Sequence, residues 1–178
     1  MDTTPVWEEK MTTMRQFRWF WAWDDGKEED WLRAMSNKGW HFQAVDFPGF
    51  YNFVQGEPRD IVYRLDYMLD PKDKADYLQL FLDAGWEYHG QMNGWQYFCK
   101  AAVDGQAPEI FSDPESKVKK YTRLMLRLGI FVPLFVIFVG NRGEGYEFVP
   151  MIWVILLLFF IYAELRLLWR MQELRRRL

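Results

Sequence analysis

Two apolar stretches in the last third of the chain constrain its fold more than any other feature. Leu128–Val139 is one run, extended towards the N-terminus by Leu124, Met125 and Leu126. Phe148–Ala163 is the other, followed by Leu165, Leu167, Leu168 and Trp169. A bilayer-crossing helix needs roughly 20 mostly apolar residues. Residues 121–140 and 148–169 therefore read as two transmembrane helices. The seven residues Asn141–Glu147 between them are rich in glycine and force the helices to be antiparallel neighbours. No other segment is large enough to cover such a hairpin on all sides in water.

Charge orients the hairpin. Lys117, Lys119, Lys120 and Arg123 precede the first run, and Arg166, Arg170, Arg175, Arg176 and Arg177 end or follow the second, whereas the loop offers only Arg142. Basic flanks stay inside, so both termini are expected on the cytoplasmic side of a bacterial membrane. Lys119, Lys120, Arg123, Arg127 and Arg170 are expected at the headgroups, with Tyr121, Trp153 and Trp169 in the aromatic belts. Arg127 lies one turn inside the first span and must snorkel. Pro133 should bend that helix, and Glu164 is expected to pair with Arg123 or Arg127.

The rest of the chain is chemically different. Residues 1–116 carry 11 Lys and Arg against 21 Asp and Glu, while residues 117–178 carry 11 against 4. An acidic domain is a poor nucleic-acid binder, and a basic segment coinciding with the apolar one points to a lipid bilayer. Cys99 is the one cysteine, which excludes an internal disulfide and argues against a thiolate metal cluster. The first ten residues lack the basic-then-apolar pattern of a secretory signal.

Within the acidic part the chain repeats itself at an offset of 46 residues. Phe17-Arg18 matches Tyr63-Arg64, Asp30-Trp31-Leu32 matches Asp76-Tyr77-Leu78, and Gly39-Trp40-His41-Phe42 matches Gly85-Trp86-Glu87-Tyr88. Each copy reads strand, helix, strand, strand. Gln16–Trp23 and Ile61–Met68 are strand material. Asp24 or Asp25 and Asp70-Pro71 start the helices, and Gly39 and Gly85 end them. Trp31, Leu32 and Met35 share one helix face, as do Leu78, Phe81 and Leu82. Trp40–Asp46 should pair with Phe50–Val54, and Glu87–Gln91 with Trp95–Lys100. The expected fold is α+β: tandem βαββ modules with antiparallel sheet, then a two-helix transmembrane hairpin. Its parts are a tail (1–14), the duplicated domain (15–100, copies 15–55 and 61–100), a linker (101–120), the two spans with their loop (141–147), and a basic tail (170–178).

No catalytic triad, HExxH, CxxC or phosphate-binding glycine loop is present, so no enzyme, cofactor or metal centre is expected. Carboxylates at 24–25 and 28–30 fall in a helix cap and first turn, where they oppose the helix dipole. Strand alternation places Phe17, Trp19, Trp21 and Trp23 on one face and Arg18 and Phe20 on the other. The second copy likewise presents Arg64 and Asp66, with His41 and Glu87 arriving from neighbouring strands. These six residues could hold an amphipathic ligand, or form ion pairs (Arg18 with Asp66, Arg64 with Glu87) on a solvated face.

The stretches Phe17–Trp23, Glu28–Leu32, Lys38-Gly39-Trp40, Tyr63–Tyr67, Ala84-Gly85-Trp86 and Gly94–Phe98 resemble an uncharacterised bacterial family, domain of unknown function 2812. The resemblance covers about Arg15–Lys100. It implies a bacterial, mostly Gram-positive protein with C-terminal membrane spans, often encoded near PadR-type regulators, and supplies no catalytic residues. The family commonly ends this region Tyr-Phe-Arg, and Cys99 stands in place of that basic residue. The tandem modules also resemble the ligand-binding domains of the gyrase-inhibitor-like group, which hold hydrophobic cations in an aromatic cleft with an acid. The expected function is a membrane-tethered regulatory or sensory protein binding a small amphipathic molecule or a partner protein, with homo-oligomers compatible. The alternatives are an accessory subunit of a transporter-like membrane complex and, behind it, a lipid-acting enzyme at the inner leaflet.

Overall fold

The computed structural model describes residues 12–69, 74–103, 106–110, 114–140 and 149–176, with the side chains of 114, 135, 138–140, 149 and 150 excepted. Most of the N-terminal tail, the Asp70-Pro71 helix start, the 141–147 loop and the last two residues lie outside that description. The chain divides into two units. One comprises residues through Leu65 together with Lys72–Pro108, the other Asp66–Pro71 together with Glu109–Leu178.

The first unit is α+β, built from two three-stranded antiparallel sheets. Its elements are β1 (Thr13–Phe17), α1 (Asp25–Ser36), β2 (Trp40–Asp46), β3 (Phe50–Gln55), β4 (Ile61–Tyr67), α2 (Lys74–Asp83), β5 (Glu87–Met92) and β6 (Trp95–Ala101). The last two residues of β4 group with the second unit. Strand order is β1-β3-β2 in one sheet and β4-β6-β5 in the other, so each half places its last strand in the middle. The edge strands β2 and β5 lie against each other. Each carries a bulge, at Gln43 in β2 and between Tyr88 and Gln91 in β5. Bulges bend an edge and disrupt its ladder.

Local chemistry accounts for most of these elements. Gly39 and Gly85 end the helices with φ of 82° and 79°, a left-handed conformation that glycine adopts without steric cost. Asp24 occupies the N-cap of α1, but its carboxylate bonds Lys27 Nζ at 2.6 Å rather than a helix amide. Leu32 and Met35 bury the inner face of α1. Arg33 then clamps that helix to the β3–β4 connection through a two-pronged pair with Asp60, at 2.6 and 2.8 Å. In α2 the inward face is Tyr77 and Phe81 against Phe98, and Leu82, expected inside, is exposed. The core is mainly aromatic. Phe42 touches Tyr51, Phe53, Tyr63 and Tyr97.

The first strand departs from the expected Gln16–Trp23. Its ladder with β3 runs from Thr13 opposite Val54 to Phe17 opposite Phe50. Beyond Phe17 the partner strand ends. Arg18 N–H makes one more bond, to the Gly49 carbonyl at 2.9 Å, and the Trp21 carbonyl accepts Asp24 N–H at 2.8 Å in a turn. The aromatic run is thus a connection into α1. Within it Trp19 meets Trp21 edge-on and Trp21 stacks on Trp23, with the rings 7° apart. Its residues do not alternate between sheet faces as expected.

The second unit is helical: α3 (Pro114–Gly129), α4 (Phe131–Gly140) and α5 (Val149–Arg176). Helix α3 begins six residues before the expected end of the linker. One stretch of α5, Met151–Arg176, is long and apolar enough to cross a membrane. At about 1.5 Å per residue its 26 residues exceed the roughly 30 Å hydrocarbon core. The first apolar run is not one continuous helix over 121–140, and no second helix among the described residues meets the same test. The break at Ile130 has a physical cause in Pro133, which lacks an N–H and whose ring clashes with the carbonyl four residues back, at Gly129. Antiparallel pairing remains. Thr122 reaches Met171 Sδ at 3.8 Å, and Phe131 stacks near Phe160 at 5.5 Å.

Candidate functional site

A buried carboxyl in the first turn of α1 is the most unusual group in the α+β unit. Glu28 falls on the same face as Leu32, Met35 and Ser36, and is 6% exposed. Tyr51 of β3 and Tyr97 of β6 both donate to its Oε1, at 2.6 and 2.7 Å. No Lys, Arg or His pairs with Glu28 among the described residues, and Oε2 takes no hydrogen bond there. Burial disfavours the charged form and pushes the carboxyl up to about 7; the two tyrosine bonds pull it down, and Asp25 adds to the rise. Burial raises both phenols above their ordinary range, with Glu28 adding to it. The hydroxyls therefore stay neutral donors at any physiological pH.

The two tyrosines come one from each sheet and are separated by 46 residues, the offset of the sequence repeat. The acid has no such counterpart. Lys74 holds the equivalent place in α2, exposed, with Nζ 3.5 Å from Gln91 Oε1. The neighbouring Glu29 has a different fate. It accepts Leu65 N–H at 2.9 Å and Arg64 Nη1 at 3.3 Å.

Aromatic rings pack around Tyr51, one of the two partners of Glu28. Trp31 packs edge-on to Tyr51 at 4.8 Å and to Phe53 at 5.6 Å, and Phe20 meets both Trp31 and Tyr51. Arg18 spreads its guanidinium over Trp31 at 4.9 Å and Phe20 at 5.2 Å. A cation over an aromatic face is attracted by the ring quadrupole, so these rings already hold one positive group.

Of the six residues expected to form a site, the structure brings Arg18 and Phe20 together beside Glu28's partner Tyr51. Arg64 pairs with Glu29 rather than Glu87. Asp66 pairs with Arg123 Nη2 at 2.7 Å rather than with Arg18. His41 bonds the Glu57 carbonyl at 2.8 Å, and Glu87 stands opposite Cys99. Glu28, Tyr51 and Tyr97 were absent from that expectation. The signal for Glu28 lay in its spacing to Leu32 and Met35, which puts it on the buried face.

In the helical unit, Arg123 also bonds the Tyr67 carbonyl at 2.7 Å and Arg127 the Tyr67 hydroxyl at 2.8 Å. The expected partner of these arginines, Glu164, instead faces Gly129, and among the described residues its Oε1 takes no hydrogen bond. Of the expected interface anchors, Trp169 is exposed under Arg166 at 4.7 Å, Arg170 pairs with Glu173 at 3.4 Å, and Lys119 reaches Glu115 at 3.9 Å. Trp153 is half-buried, and Lys120 and Tyr121 are buried.

A family model described as protein of unknown function (DUF2812) matches residues 24–132, more than half of the chain. The chain belongs to the DUF2812 family. The DUF2812 region contains Glu28, Tyr51 and Tyr97, both sheets apart from β1, all of α3 and the start of α4. Arg18 and α5 lie outside it. No curated protein and no solved structure matches the chain.

Proposed function

We propose that this DUF2812 protein is a membrane-tethered sensory or regulatory protein whose α+β unit binds a lipophilic organic cation. The observation that carries the reading is Glu28. It is a buried carboxyl bonded, among the described residues, by tyrosine hydroxyls alone, beneath aromatic rings that Arg18 already covers. An incoming cation would displace Arg18 from Trp31 and Phe20, bury its apolar groups against the rings, and meet the carboxylate at Oε2. The shared strand order and the matched tyrosines support an origin of the two modules by duplication, and the lone acid supports one site per chain. Helix α5 supplies the tether. The pairing of α3 and α4 with α5 supports a second, broken leg antiparallel to it, which with the basic flanks would put both termini in the cytoplasm.

The test titrates the full chain in detergent with tetraphenylphosphonium, following tryptophan emission, since eight of the ten tryptophans precede residue 117. Saturable quenching is expected in the wild type. Glu28→Gln removes the charge but keeps an acceptor for both tyrosines, and should weaken binding by at least about tenfold, the equivalent of roughly 1.4 kcal/mol. Equal titrations for the two proteins would defeat the reading.

A further inference from the structure

We propose that Glu87, His89 and Cys99 form a second, separate site, for a borderline divalent cation such as zinc. A carboxylate oxygen of Glu87, a ring nitrogen of His89 and Sγ of Cys99 all lie within 4.8 Å of one another. Glu87 and Cys99 are direct partners across the β5–β6 ladder, and His89 follows two residues after Glu87 at the bulge. Around a tetrahedral zinc, donors at about 2.0–2.3 Å sit nearly 3.5 Å apart. Side-chain adjustments on the order of 1 Å would close the triad without moving the strands.

The cysteine lifts this cluster above a chance gathering of polar groups. Cys99 is 6% exposed, and among the described residues its thiol has no hydrogen-bond partner. Its sulfur lies within 4.8 Å of a donor atom on each of the other two residues. The imidazole of His89 also interacts with the Gln43 backbone, and outer contacts of that kind orient metal-binding imidazoles. The donor set selects the ion. Magnesium and calcium take oxygen ligands, whereas thiolate and imidazole suit zinc and its neighbours. A carboxylate, a thiolate and a neutral imidazole around a divalent ion also sum to zero charge, which a half-buried site tolerates. Three protein donors would leave a fourth position for water or a small ligand.

Binding is a proton exchange. The Cys99 S–H bond breaks, sulfur keeps the electron pair and bonds the metal, and the proton leaves to solvent. No oxidant is needed. Without metal, burial and then Glu87 push the thiol up to about 12; a divalent cation reverses both influences.

The experiment uses the full chain in detergent, stripped with a chelator and titrated with cobalt(II). One cobalt per chain is expected, with a near-ultraviolet thiolate-to-cobalt band that zinc abolishes. Cys99→Ser should lose the band. Glu87→Gln and His89→Gln leave the buried thiol in place and should weaken affinity by more than about tenfold, the loss that an outer-shell change alone produces. Circular dichroism identifies the variants that remain folded. A wild type without the thiolate band overturns the proposal, and so do folded Glu87→Gln and His89→Gln variants that bind as tightly as it does. Glu28 takes no part in this readout, so failure of lipophilic-cation binding would leave the result intact.

Discussion

Glu28 and Glu29 are adjacent in one helical turn and differ in almost every physical respect. Glu29 is satisfied by a guanidinium and a backbone amide, whereas Glu28 meets, among the described residues, only neutral hydroxyls. The consequence for stability has a definite sign. The carboxyl of Glu28 moves from 4.5 to about 7 on folding, so its contribution is fully present below pH 4.5 and is lost as pH rises towards 7. At 1.36 kcal/mol per unit the loss is about 3 kcal/mol. Glu28→Gln should therefore raise the thermal midpoint of the α+β unit at pH 8 and leave it nearly unchanged at pH 4.5. Midpoints that shift equally at both pH values would show that Glu28 is ionised freely in the folded protein. The buried face of α1 was legible in the sequence, but a run of three acids at a helix start satisfies the dipole argument so well that it hid this role. What sequence could not supply is which acid finds a cation, because Arg64 arrives from 35 residues away.

Among the elements, the turn before β3 governs where β1 stops. Gly49 has a φ of 149°, and a Cβ there would fall 2.6 Å from the Arg18 carbonyl oxygen. Gly49→Ala should destabilise the unit by about 1–3 kcal/mol through conformational strain and displacement of the departing β1 chain. Gly90 is the comparator, with φ 103° and nothing within 4 Å of an added Cβ. Chemical denaturation should rank Gly49→Ala as the costlier change, and the reverse order would mean that the Arg18–Gly49 contact does not fix the strand end. Most boundaries could be read from glycines and aromatic runs. The first strand could not, because Trp19, Trp21 and Trp23 have strand propensity and lack a partner strand. Propensity yields to pairing when the ladder ends. The split between α3 and α4 was half legible, since Pro133 announced a bend but its effect on Gly129 needed the helix itself.

For the whole molecule, the contrast between an acidic first part and a basic, apolar second part is the dominant feature, and it was visible from composition alone. Helix α5 exposes Met151, Ile152, Val154, Ile155, Leu158, Ile161, Leu165 and Leu168, a surface that water does not tolerate over this length. The proposed two-pass topology is testable because Cys99, the one native thiol, is buried. Gly143→Cys, in the connecting loop, should react with a membrane-impermeant maleimide on intact cells, while the wild type should not. Labelling of Gly143→Cys only after lysis would place the loop inside and reverse the orientation. Sequence reached the antiparallel pairing of these helices through the short connection but overestimated the first leg as a continuous span.

Both tyrosine hydroxyls converge on a single oxygen of Glu28. The other oxygen can carry a hydron or face a positive ligand, and one occupant excludes the other. Uptake of a cation below about pH 7 would thus expel up to one hydron per chain. A weakly buffered suspension of this protein would acidify as such a ligand binds, and affinity would climb with alkalinity until Glu28 is fully ionised. On the proposed reading, such a ligand would be sensed more keenly on the alkaline side of neutrality.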